Sequence, residues 1–256
     1  MKHWMTVLAA GAISLGLAAS AGAQSALNEI LDSGVLKFGT TGDWNPMSVR
    51  DPATNSYKGY DIDVANELAA DLGVEVEFVP TDWKTLVNGV VAGKYHMTGS
   101  ASISPPRMKV AGFSESYISV EIMPFTTPDK AGNFDGYASI DKPEVKVATT
   151  LGTTFEALVR EWFPNADIKV VEAPARGFQE VLAGRADVFI TSNIEGATLA
   201  EKHGVVRVPG TDPRAPSPIA MLLPQDDQVW INYVNNWVKV KEAKGFFDAT
   251  KDKWGL

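Results

Sequence analysis

Cysteine is absent from this 256-residue chain. That absence excludes thiol catalysis, disulfide staples and cysteine-ligated metal sites. Histidine is nearly as scarce, with His3, His96 and His203 too scattered to suggest a zinc site. No basic cluster offsets the formal charge of −8, which argues against nucleic acid as a partner. Past residue 19 no apolar run approaches the ~20 residues that span a bilayer. No metal and no cofactor is expected. What the chain does have is 45% hydrophobic residues, enough to build a sizeable core without staples.

The first residues read as an export signal, 1–23. Lys2 supplies a basic start, Met5 to Ala19 is apolar, and Ala21-Gly22-Ala23 is a small-residue cleavage site. A mature chain starting at Gln24 loses Lys2, so its formal charge falls from −8 to −9. It is expected outside the cytoplasm.

The rest alternates between period-two and helical patterns. Val35–Gly39 is a strand, and Gly59-Tyr-Asp-Ile-Asp63 opens a helix over Val64–Leu72 in which Asp61 and Asp63 serve as caps. A strand at Val74–Val79, a helix at Lys84–Ala92 and a short strand after Gly93 complete one α/β unit with right-handed crossovers. Ile118–Thr126 is an extended run that leaves this unit. The plan then repeats, with strands at Val145–Thr149, Ile168–Val171 and Val188–Thr191 and helices at Phe155–Trp162 and Gly177–Ala183. Ile219–Leu223 returns to the first unit. A helix over Gln228–Lys241 docks there through Trp230, Tyr233, Val234, Trp237 and Val240. The expected fold class is therefore α/β with two lobes: residues 24–124 and 220–256 form one, and 125–219 the other.

Sheets of this kind bind ligands beyond the carboxyl ends of their strands, where Trp44, Trp83 and Ser100 fall. The stretch from Thr98 to Lys109 follows such a strand. Its small residues admit close approach, Ser100, Ser102 and Ser104 supply hydroxyls, and Arg107 is a planar five-donor fork. No acidic residue interrupts it, which fits a seat for a small anion; taken alone, it fits a turn with an exposed Arg equally well. Leu151-Gly-Thr-Thr154 offers free backbone N–H groups at a helix start, either a second anion seat or a plain cap. Trp44 is either a lid on the core or one wall of the site.

Six segments resemble the extracellular solute-binding proteins of polar amino acid transporters: Leu31–Lys37, Gly59–Ala65, Ser102–Arg107, Phe113–Tyr117, Gly152–Thr154 and Ala183–Asp187. The resemblance implies a type II periplasmic binding protein fold, two lobes joined by two crossover hinge strands. It also implies a monomer in the periplasm that hands a solute to an ABC transporter permease. Carried over by position, Arg107 is the carboxylate clamp, with Ser102 and Thr154 beside it and Ser100 facing the same site. Thr153 and Phe155 complete the turn, Trp44 is an aromatic wall and Trp83 lies opposite. Such amino-acid binders pair the ligand's ammonium with an Asp where this chain has Ser192, and a hydroxyl does not offset a buried ammonium. Glu195 is the candidate substitute, and Arg176 a candidate for a second acidic group on the ligand. The expected ligand is a small organic anion or an amino-acid-like solute.

A narrower resemblance runs to the cyclohexadienyl dehydratase branch of the same fold, through Thr41–Pro46, Pro80–Trp83, Ile194-Glu195 and Tyr233–Trp237. Those enzymes act on prephenate or arogenate with a Glu directly after the Gly-Thr-x turn. Here Phe155 holds that place. Glu156 comes one residue late, which turns its side chain by ~100° on a helix. If the chain is an enzyme, Glu195 and Glu156 are its catalytic candidates; otherwise it is a binding protein, for delivery or for sensing.

Overall fold

The computed structural model describes residues 24–256. The expected export signal, 1–23, lies outside them. No helix among the described residues is long and apolar enough to cross a membrane.

The main sheet runs, edge to edge, Asp167–Val171, Lys146–Thr150, Val188–Ser192, Ile118–Thr126, Arg214–Leu223, Met97–Ser102, Val35–Thr40, Glu75–Pro80. Each outer trio is parallel: Val35–Thr40 pairs with Glu75–Pro80 and Met97–Ser102, and Lys146–Thr150 with Asp167–Val171 and Val188–Ser192. Parallel pairing demands crossover helices on the faces, which explains the near-continuous burial of Val188–Ser192. The two central strands, Ile118–Thr126 and Arg214–Leu223, run antiparallel to each other and to the flanking strands, Val188–Ser192 and Met97–Ser102. They are the two crossovers between α/β lobes.

Arg214–Leu223 starts five residues earlier than the apolar run at Ile219 suggests. Pro216 and Pro218 are accommodated because the pairing is irregular there, with a register shift between Arg214 and Ser217. One cluster of buried side chains runs from Phe38, Leu68 and Trp230 through Val120 and Ile122 to Val147, Phe163 and Val188. At about 1.5–3 kcal/mol per buried large apolar side chain, this core replaces the missing disulfides.

Three expectations need correction. The helix read from Val64 begins at Tyr60, with Gly59 as its N-cap at φ 136; Asp61 is buried within its first turn and is not a cap. Val240 is 49% exposed, whereas Lys241 is buried and reaches Asp71 at 2.7 Å and Glu67. Ten residues after Trp230, Val240 sits ~80° round the helix from it, while Lys241 is within ~20°. The helix Phe246–Trp254 has no counterpart in the pattern analysis; it stacks Phe247 on Tyr117 with ring centroids 5.6 Å apart.

Candidate functional site

The carboxyl ends of both parallel trios meet between the lobes. Strand Met97–Ser102 ends in Ile103-Ser104, and Pro105 and Pro106 then set the first turn of a short helix, Pro105–Met108. Arg107 is thereby turned inward and is 7% exposed. Its Nη1 donates to the Ser102 carbonyl at 3.2 Å, and its Nη2 to the Gly152 carbonyl of the other lobe at 3.4 Å. It has no carboxylate partner among the described residues. Burial without a counter-charge lowers its pKa to about 10.

From the second lobe, helix Thr154–Trp162 starts at this point, with Thr153 as its N-cap. Thr154 Oγ1 lies 3.3 Å from Ser102 Oγ, within donating distance. Gly152, at φ 80, permits the approach: a Cβ there would lie 2.5 Å from the Lys84 backbone of the first lobe. Lys84 itself forms an exposed ion pair with Glu172 across the gap, at 3.1 Å.

Trp44 and Trp83 meet edge to face, with centroids 5.9 Å apart. Trp83 Nε1 donates to Asp43 at 3.1 Å, while Trp44 Nε1 is buried with no partner among the described residues. Trp44 is a member of the core cluster and also lines the smaller of the two spaces described next. Ser100 has φ 49 and is held by its N–H, which donates to Tyr117 Oη at 2.8 Å. Tyr117 in turn donates to Asp61 at 3.1 Å. Burial pushes the Asp61 carboxyl up to about 7.

These groups line two adjoining spaces. A small one, about 20 Å³, is lined by Trp44, Trp83, Ser100, Ser102, Arg107, Thr153, Thr154, Phe155 and Arg176. A larger one, about 560 Å³, shares Trp83, Ser102, Arg107, Thr153 and Thr154 with it and continues past Val87, Val110, Ala157 and Pro218. No acidic side chain lines either space.

Three sequence-based assignments change here. Ser192 is fully buried and caps helix Asn193–His203 by accepting from Glu195 N–H at 3.2 Å; it lines neither space. Glu195 is held bidentately by Arg176 at 2.9 and 3.0 Å, accepts from Thr191, and lines a separate space of about 10 Å³. Its carboxylate is turned to Arg176 and Thr191 and lines neither of the two spaces above. Arg176 also meets Asp43 at 3.1 Å, so two carboxylates already occupy the fork meant for a second ligand acid. Burial works against the Arg176 charge, but Glu195 and Asp43 outweigh it and raise the pKa above the ordinary guanidinium value. Glu156 faces its own turn, accepting from Gly152 N–H at 3.3 Å and Arg160 at 3.1 Å.

Sequence reasoning missed Asp43 and Tyr117 and read the buried Asp61 as a cap. Asp43 precedes a tryptophan already singled out, and Tyr117 closes one of the resembling segments, so both had a signal. Among the described residues no group of His, Asp and Glu could hold a metal ion.

The family model for bacterial extracellular solute-binding proteins, family 3, matches residues 36–256. Cyclohexadienyl dehydratase of Pseudomonas aeruginosa is 32% identical over 260 residues, covering 99% of this chain and 94% of the relative. The L-cystine-binding protein TcyJ of Escherichia coli K12 is 24% identical over 231 residues, covering 89% and 85%. The crystal structure of the ancestral amino acid-binding protein AncCDT-1, a precursor of cyclohexadienyl dehydratase, superposes with a TM-score of 0.84. It is 37% identical, over 90% of this chain and 99% of that one.

Proposed function

The chain belongs to the bacterial extracellular solute-binding proteins of family 3 and has their type II two-lobed fold, and from that premise we propose that it captures a small carboxylate or amino-acid-like solute in the periplasm for an ABC importer. The observation that carries this reading is the buried Arg107 guanidinium without a carboxylate partner among the described residues, set where both lobes contribute polar groups. A ligand carboxylate on that fork replaces the missing counter-charge with a charge-assisted pair. Trp44, Trp83, Ser100, Ser102, Thr153, Thr154 and Phe155 surround it. The moving units are 24–124 with 220–256, and 125–219, turning on the two crossover strands. Arg107, Gly152, Ser102 and Thr154 couple closure to ligand capture because each links one lobe to the other. A thermal-shift screen of carboxylates tests this: at least one carboxylate should raise the melting temperature, and none should do so for Arg107→Ala.

The second reading is dehydration of prephenate or arogenate, favoured by the 32% identity to cyclohexadienyl dehydratase. Its difficulty is the general acid. Glu195 is tied to Arg176, and Glu156 to Gly152 and Arg160. Incubation with prephenate while following phenylpyruvate decides it, and turnover lost in Glu195→Gln or Glu156→Gln would establish the enzyme.

A further inference from the structure

The larger of the two spaces, about 560 Å³, begins at Arg107, and beyond the polar Ser102, Thr153 and Thr154 its walls are mostly apolar. Val87 and Val110 come from the first lobe, Ala157 and Leu158 from the second, and Pro216 and Pro218 from a crossover strand. Its charged lining residues are Arg107 and, at the rim, Lys84; no acid lines it. Val110, on this wall, is 50% exposed and so is open to contact with a ligand.

We propose that this apolar chamber seats the body of the ligand, and that the ligand is a monocarboxylate with a hydrocarbon chain or ring and no amino group. The inference rests on Arg107 as the carboxylate clamp and adds what lies beyond the carboxylate. Arg107 offers one fork, enough for one carboxylate. The walls beyond it remove apolar surface from water, which strengthens binding by roughly fourfold per buried methylene. An α-ammonium placed there meets Arg107 and apolar side chains, and both disfavour it. The acids nearby, Asp43 and Glu195, are held by Arg176 and line neither this chamber nor the small space. Selection therefore works against zwitterions as well as for apolar length.

Calorimetric titration of the purified protein with straight-chain carboxylates from acetate to octanoate, and with 3-phenylpropanoate and phenylalanine, tests the proposal. Affinity should climb about fourfold per added methylene until the chamber is full. 3-Phenylpropanoate should bind at least tenfold tighter than phenylalanine, which differs only by the ammonium. Ala157 is exposed, so Ala157→Trp should fold and obstruct the chamber; it should weaken octanoate at least tenfold. Short or amino-bearing carboxylates bound through Arg107, with no gain from chain length and no effect of Ala157→Trp, overturn this inference and leave the clamp standing. Binding of no carboxylate at all overturns both.

Discussion

Arg176 of the second lobe joins two carboxylates from opposite sides of the cleft, Glu195 at 2.9 Å within its own lobe and Asp43 at 3.1 Å in the other. Arg176 and Glu195 are both almost fully buried. Removing one partner strands the other, a loss of about 3–5 kcal/mol for a buried pair. Arg176→Met should therefore be strongly destabilising in urea unfolding, and Arg176→Met with Glu195→Leu should recover most of the loss. Additive losses in the double variant would show that the two side chains are not coupled.

The Asp61 carboxyl gives the fold a pH dependence of unusual sign. Burial raises it to about 7 from 3.8 in the unfolded chain. Between those values the folded protein holds the proton that the unfolded chain releases. Stability from this group is thus fully present below about pH 4 and lost as pH rises to about 7, with a slope of roughly 1.4 kcal/mol per pH unit. Asp61→Asn, which keeps an acceptor for Tyr117, should flatten that slope in unfolding measured from pH 4 to 8. A slope unchanged by the substitution would place the titrating group elsewhere.

Gly152 carries the backbone contact between the lobes. A methyl group there meets Lys84 at 2.5 Å, and φ 80 is itself strained for alanine. Gly152→Ala should hold the lobes apart, so a saturating carboxylate should shrink the radius of gyration in X-ray scattering of the wild type but not of the variant. Equal compaction would mean that the contact yields easily.

Ser192 is a helix cap, and its removal should look like one. Ser192→Ala should cost about 1 kcal/mol in stability and leave carboxylate affinity unchanged, because its Oγ serves Glu195 N–H and lines neither cavity. A loss of affinity at constant stability would restore Ser192 to the binding surface.

Two lobes and two crossovers were legible because strand and helix periods alternate cleanly twice along the chain, with extended runs at Ile118 and Ile219. Arg107 was legible for a local reason, since no acid lies between Thr98 and Lys109 to satisfy it. The pairing of Arg176 was not. Its partners lie 19 and 133 residues away, and local sequence cannot tell a guanidinium that is free from one that is taken. Asp61 was misread because two acids in a first helical turn look alike until the neighbouring Tyr117 shows which is inside. Val240 was misplaced because it falls about 60° beyond Trp237, the last buried residue on that side of the helix.

The central claim is that Arg107 holds a ligand carboxylate between the lobes. Its most direct test is calorimetric titration of the tightest carboxylate from the screen into wild type and Arg107→Ala, with urea unfolding as a control on folding. The account predicts that the variant folds and loses about 2–5 kcal/mol of binding free energy, the usual cost of truncating one side of a buried charge pair. A folded variant that binds the same carboxylate with unchanged affinity would contradict it.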